Sequence, residues 1–385
     1  MSNDASKPRD GTPSYIRRAF LTGAGATAAA GTLAALAPRQ ATTPVDASAD
    51  SRFELKMVTT WPKHFPGLGT SADRLAERIT AGTGGSVTVK VYGAGELVPA
   101  LGAFDAVQQG NADMYHGAEY YWQGKSKAFA FFAAVPFGLT GPELSAWIRW
   151  GGGQELWDEL SARYNIKAFL TANSGTQMGG WYKRPLETLE DFKGLKVRMP
   201  GLGGEVLRRM GAAASTIPGG EIYQALQSGR IDGTEWAGPW NDVAFGFFEI
   251  AKYYYYPGFH EPGTGLSMGI NLDVWNRLSP AQQSVIESST TAEVEMALAE
   301  FNAENARAYQ DILAMPDITV APFPREISRE ISRLSKEVVA EAGQGDELSQ
   351  RIYQSFSEFR ERAIAYNKIS ELAFAQDRLL ESESD

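Results

Sequence analysis

Phe104-Asp105-Ala106-Val107-Gln108-Gln109-Gly110-Asn111-Ala112-Asp113 and Tyr223-Gln224-Ala225-Leu226-Gln227-Ser228-Gly229-Arg230-Ile231-Asp232 are two versions of one unit, 119 residues apart. Each runs aromatic, any residue, Ala, aliphatic, Gln, any residue, Gly, and ends on Asp three residues later, after a small or aliphatic side chain. Gly after an apolar turn predicts a short helix with a left-handed C-terminal residue. A strand and a loop follow each copy: Glu119-Tyr120-Tyr121-Trp122 after the first, Glu235-Trp236 after the second. Two similar halves of this length predict two α/β lobes facing each other. Facing lobes make a cleft, and ligands in such folds sit beyond the carboxyl ends of the strands.

The flanking sequence fits that plan. Phe53 to Thr60 alternates like a strand, and two prolines at 62 and 66 break it. Thr70 to Ile79 has a helical stripe, with Ser71 as a candidate cap. Val87 to Tyr92 is a second strand, so a parallel sheet is expected. Beyond Leu278 the pattern turns helical. Ser279-Pro280 caps a long helix reaching about Ala314. Residues 326–342 and 346–380 read as two more helices around Gly343 and Gly345. Ile352, Tyr353, Phe356, Phe359, Ala363 and Ile364 give the last an apolar stripe. It packs on the chain's own lobes or on a second subunit, and pattern alone leaves both open.

The first fifty residues read as an export signal rather than fold. Arg17-Arg18-Ala19-Phe20-Leu21 precedes a mild Gly/Ala-rich stretch from Phe20 to Ala37, the twin-arginine pattern. A membrane anchor would be more apolar and longer than this. Ala47-Ser48-Ala49 offers cleavage before Asp50; Ala35-Leu36-Ala37 competes, but Pro38 follows it. Expected localisation is the periplasm, with no stable membrane insertion after signal removal.

Composition removes several function classes. The chain has 385 residues, 43% hydrophobic, enough for two cores. It has no cysteine, which excludes disulfides, thiolate chemistry and Cys-based zinc sites. A net charge of −10 disfavours nucleic acid and anionic lipid. His64, His116 and His260 lie at no ligand-like spacing and read as structural. No nucleophile elbow, zinc-protease helix, phosphate loop or dinucleotide fingerprint occurs.

Four polar residues stand out against glycines and aromatics. Gln177 sits in Ser174-Gly175-Thr176-Gln177-Met178-Gly179-Gly180-Trp181 after the strand Ala168–Thr171, as a loop donor and acceptor or as part of an ordinary turn. Arg198 ends the short strand of Leu195–Met199. It suits a carboxylate, or it pairs at the surface with Asp191 or Glu205. Glu235 and Glu261 lie in Gly/Pro-rich aromatic loops. Buried, they need a hard cation or Arg198; otherwise they are exposed loop acids.

At these residues the chain resembles the periplasmic solute-binding subunits of tripartite ATP-independent (TRAP) transporters. The resemblance rests on Lys196-Val197-Arg198, Met210-Gly211-Ala212-Ala213-Ala214, and Ile217-Pro218-Gly219-Gly220-Glu221 through Asp232-Gly233. It covers about residue 53 to the C-terminus. Thr176 to Trp181 and Glu235-Trp236 look like the branch binding 2-oxo or 2-hydroxy monocarboxylates such as pyruvate or lactate. The resemblance implies that Arg198 grips the ligand carboxylate and Asn241 orients it. Gln177, Glu235, the carbonyl of Trp236 and Glu261 would surround one cation, and Tyr121 and Trp122 would close from the first lobe. Charge balance favours Ca2+ slightly, while oxygen donors suit Na+ equally. It also implies a helix across both lobes, and a terminal helix exchanged in a homodimer.

The resulting expectation is an α/β, two-lobed periplasmic binding protein fold (type II-like) with a hinge and a C-terminal helical extension. Residues 1–49 are the signal, 50–175 mainly the first lobe and 176–265 mainly the second. Residues 266–345 carry returning segments and long helices, and 346–385 the C-terminal helix. The partners are a small carboxylate and a TRAP permease; the protein is not an enzyme. The rivals are a C4-dicarboxylate binder of the same family and a metal-assisted hydrolase or lyase.

Overall fold

A computed structural model describes residues 51–382. The expected signal segment lies outside the described residues. The two copies of the repeated unit fold alike. Helix α2 (Ala103–Gln108) is followed by Gly110 at φ +75°, and α6 (Gly219–Gln227) by Gly229 at φ +77°. Each turn relies on glycine, since a side chain strains that backbone. The Asp closing each unit then clasps a neighbouring strand. Asp113 Oδ2 accepts from the Lys56 backbone N–H at 2.8 Å, and its own N–H donates to the Lys56 carbonyl at 3.0 Å. Asp232 Oδ2 accepts from Lys196 N–H at 3.0 Å, and its N–H donates to the Lys196 carbonyl at 2.6 Å. That paired bond sets the register of the parallel strands: Met57 opposite Met114, and Val197 opposite Gly233.

Two sheets grow around these units. The first orders β2 (Val87–Tyr92), β1 (Phe53–Thr59), β3 (Met114–Gly117), β10 (Gly265–Asn271) and β4 (Ile166–Asn173). The second orders β11 (Thr319–Pro322), β9 (Tyr253–Tyr256), β5 (Gly180–Tyr182), β8 (Gly233–Thr234), β6 (Lys196–Arg198) and β7 (Ala213–Ser215). The expectation of a parallel sheet holds only in part. β1 lies parallel between β2 and β3, but β10 runs antiparallel to β3 and β4, and β5 antiparallel to β8 and β9. Those antiparallel pairings arise where the chain crosses between sheets: 174–179 joins β4 to β5, and 257–264 joins β9 to β10.

Helix α1 spans Leu68–Gly82 and starts at Gly67, not at Ser71. The Ser71 hydroxyl instead donates to Glu293 Oε1 at 2.9 Å. Helix α9 runs Pro280–Leu313 with the expected Ser279 cap. It packs on α1 and β4, and on α7 (Pro239–Phe245), and so touches elements of both sheets. Arg74 of α1 forks onto Glu293 of α9 through Nη2 at 2.7 Å and Nε at 3.1 Å, and Glu293 is fully buried. Beyond α10 (Arg325–Ala342) the expected single helix 346–380 is two, α11 (Glu347–Asn367) and α12 (Glu371–Ser382), parted by a turn at Lys368-Ile369-Ser370. Only the N-terminal half of the stripe is deeply buried: Ile352 and Phe356 pack in the core, Phe356 against Phe131 and Trp147.

Candidate functional site

The site gathers at strand ends and on the two crossing segments. Arg198 is the last residue of β6, opposite Thr234 of β8, so Glu235 follows on the adjacent strand. Arg198 is 1% exposed. It pairs with neither Asp191 nor Glu205, which are taken by Arg184 and by Arg208 and Arg209. Its Nη1 donates to the Glu235 carboxylate and, at 3.2 Å, to the Glu235 carbonyl. Its Nε reaches the Ile217 carbonyl at 3.2 Å, and Nη2 the Tyr121 hydroxyl at 3.2 Å. The guanidinium lies 5.0 Å from the Trp236 ring centre, within cation–π range. Burial pulls the Arg198 pKa down, but the Glu235 charge outweighs it and holds the group above its ordinary value. Arg198 is therefore a fixed positive charge.

Glu235 and Glu261 are both buried, as an unpaired loop acid would not be. With His260 they form a cluster whose ligand atoms lie within 4.8 Å of one another. His260 Nε2 lies 3.2 Å from Glu235 Oε2. Burial lowers the His260 pKa, yet its bond to Glu235 carries it above the usual histidine value. Burial, then the Glu235 charge, pushes the Glu261 carboxyl up to about 7, against the pull of His260, Thr264 and Arg198. The Thr264 hydroxyl donates to Glu261 Oε2, and Tyr120 O–H reaches the same oxygen at 3.4 Å.

Gln177 is 3% exposed. Its Nε2 donates to Ser174 Oγ at 3.0 Å and Thr264 Oγ1 at 3.1 Å, while Oε1 has no partner. Asn241 of α7 is buried; its Nδ2 donates to the Pro66 carbonyl at 3.1 Å, and Oδ1 has no partner. A carboxylate could meet Asn241 only through its second amide N–H. A cavity of about 10 Å³, room for little more than one water, is lined by Tyr120, Tyr121, Gln177, Trp236, Thr264 and Trp61, among others.

The structure brings Arg198, Gln177, Trp236 and Tyr121 to one place with Glu235 and Glu261. It does not bring Trp122. That ring packs 5.2 Å from Phe104 and 5.6 Å from Tyr115, in the core of the first sheet. Tyr120 stands at the pocket instead, because the turn Glu119–Trp122 rotates the aromatic run by one position. His260 and Tyr120 are the members the sequence did not single out. Adjacency of His260 to Glu261 in an aromatic, Gly/Pro-rich loop was the available signal.

The donor set fits a hard cation. Two buried carboxylates and an unpartnered buried amide oxygen are all oxygen donors, with the His260 ring beside them. This is the chemistry of a cleft that holds an anion and an ion together.

Comparison with known proteins assigns the chain. The model of the bacterial extracellular solute-binding proteins, family 7, matches residues 57–345. The chain belongs to this family. Its members include the solute-binding proteins of TRAP transporters. A monocarboxylate 2-oxoacid-binding periplasmic protein of Nostoc sp. is 38% identical over 321 residues, which are 83% of this chain and 87% of that one. A TRAP solute-binding protein from Bordetella bronchiseptica, a mixed-occupancy dimer with copurified calcium and picolinate, is 32% identical with a TM-score of 0.85, over 87% of this chain and 99% of that one. Another from Pseudoalteromonas atlantica, with bound sodium and pyruvate, is 34% identical with a TM-score of 0.82, over 85% and 99%. The two-lobed α/β fold with its helical C-terminal extension is the fold of these family members. Among the described residues no helix is long and apolar enough to cross a membrane.

Proposed function

We propose that this family member captures a small 2-oxo or 2-hydroxy monocarboxylate of the pyruvate type in the periplasm, together with one Na+ or Ca2+ ion, and delivers it to a TRAP permease. The observation that carries this reading is the unpartnered Gln177 Oε1, on an amide joined through Thr264 to buried Glu261, in a cluster with Glu235 and its buried arginine. Arg198 binds the ligand carboxylate, and Asn241 and Tyr121 orient it. Gln177, Glu235, the Trp236 carbonyl and Glu261 would hold the ion. When bound, the ion would supply positive charge beside the ligand's oxygens. The lobes, 50–175 and 176–265 in the main, close on the ligand about the crossing segments. Twin-arginine export delivers the chain, and no covalent bond is made or broken. The charge of the site favours this reading over a C4-dicarboxylate, which brings a second anionic group to two buried glutamates and one arginine.

The likeness to a dimeric relative supports a further part of the proposal. The C-terminal helices leave Tyr366, Ile369, Leu372 and Phe374 exposed, the last at 66%. A second copy of the chain covers them.

Titration calorimetry with pyruvate, lactate, longer 2-oxo acids and succinate tests the ligand class. Pyruvate or a longer 2-oxo acid is expected to bind best, and binding to weaken when both calcium and sodium are removed. Tightest binding of succinate, or conversion of the ligand to a new product, would overturn the proposal.

A further inference from the structure

Gln177 can serve a cation only if its amide oxygen, not its nitrogen, is presented to the pocket. Nothing in the residue itself decides this, because the two ends of a carboxamide have the same shape. The surroundings decide it. The Thr264 hydroxyl has one proton and gives it to Glu261 Oε2. Its oxygen must then accept, so the group facing it at 3.1 Å is the Gln177 NH2. Ser174 repeats the logic. Its hydroxyl points to the Gly175 carbonyl at 3.5 Å, and its oxygen lies 3.0 Å from Gln177 Nε2. Both amide N–H groups are thereby consumed, and Oε1 is the atom left over. Ser174 and Thr264 are themselves buried, so both acceptors are held in place by the surrounding chain. Tyr120 and Thr264 converge on Glu261 Oε2, which fixes that carboxylate as well.

We infer that Thr264 and Ser174 are positioning residues that lock the Gln177 amide oxygen toward the ion, making the pocket selective for a cation beside Glu261. This rests on the cation site proposed above and adds to it what orients the ligands. With Thr264 removed, the amide loses one acceptor and can turn its NH2 into the pocket, where it repels an ion. Such an orienting bond carries a measurable share of metal affinity.

The test is calcium titration by calorimetry into the full chain, stripped of ions in sodium-free buffer, with no organic ligand present. Thr264→Val is expected to weaken calcium binding at least about tenfold, the scale on which orienting partners act. Thr264→Ser keeps the hydroxyl and is expected to stay within about threefold of the parent. Ser174→Ala is expected to weaken binding in the same direction, and it carries the test if Thr264→Val fails to fold by circular dichroism. Calcium binding by Thr264→Val within threefold of the parent, while Glu261→Gln loses it, overturns this inference alone. So does Thr264→Ser falling as far as Thr264→Val, which marks a packing effect. Absence of both calcium and sodium binding in the parent, or full binding in Glu261→Gln, overturns the cation site and this inference with it.

Discussion

Arg198 is 1% exposed, so in the proposed role its charge would meet a ligand with little water between them. Arg198→Ala also leaves buried Glu235 with His260 as its remaining partner, facing an incoming anion. We expect pyruvate affinity to fall by more than about tenfold, roughly 1.4 kcal/mol, by calorimetry. A smaller loss removes Arg198 from the ligand. Glu119 gives a second prediction at this scale. It is fully buried, takes a hydroxyl from Tyr115 at 2.6 Å, and has no partner for Oε2. Burial pushes its carboxyl up to about 7. A folded pKa above the unfolded value means its favourable contribution is complete below the ordinary carboxylate range, 4.5, and is lost as pH rises through about 7. His116, buried and depressed to about 3, has the opposite sign, so its contribution is lost as pH falls below 6.5. The comparison must therefore be with a variant. Glu119→Gln is expected to flatten the parent's loss of stability between pH 4.5 and 7 in urea titrations of the ligand-free protein. Equal slopes in the two proteins would show that Glu119 does not titrate there. Arg198, Gln177, Glu235 and Glu261 were legible as candidates because they are strongly polar groups in apolar, Gly-rich company, and the fold buries all four. Tyr120 and Trp122 were not separable, because which aromatic of a run faces a cleft is set by the rotation of a short turn.

Among the elements, α9 shows best how local signals and packing divide the work. Its start was written in Ser279-Pro280, and the Ser279 hydroxyl accepts from Gln282 N–H as a cap should. Its lateral anchors were not legible, because they join residues over two hundred positions apart. Arg74 and Ser71 of α1 hold the buried Glu293, and Arg74 also reaches Glu300 at 2.8 Å. Arg74→Ala should cost about 2 to 3 kcal/mol, below the full range for breaking a buried pair because Arg74 keeps partial contact with water. The double variant Arg74→Ala/Glu293→Gln should recover part of that, since no charge is left stranded. Thermal unfolding reads both, and a single variant as stable as the parent would show the pair contributes nothing. The sheet expectation held only in part, for a similar reason. Alternation identifies a strand, but its partner and direction depend on where the chain returns, and β10 returns from the other sheet. The break near Lys368 carries neither Gly nor Pro, the usual signals for a stop.

For the molecule as a whole, the repeated unit was the most informative feature, because its Asp, Gly and Ala positions all recur as bonds. The proposed dimer is tested at this level. Removal of residues 368–385 deletes α12 and the exposed Ile369, Leu372 and Phe374. Light scattering is expected to show a dimer for the full chain and a monomer for the shortened one, with pyruvate affinity unchanged. A full chain that is monomeric at all concentrations would end the proposal.

Gln177 and Glu261 lie on the two segments that cross between the sheets, and the backbone already joins those segments. Gly258 N–H donates to the Gln177 carbonyl at 2.8 Å and Gln177 N–H to the Glu261 carbonyl at 3.1 Å. An ion held by both side chains would tie the same two strands of chain once more. In a sequence without cysteine it would be a cross-link made of oxygen donors rather than sulfur, reversible and graded by ion concentration. The melting temperature would then climb with the logarithm of that concentration. The hinge would have less freedom left to lose when the solute arrives.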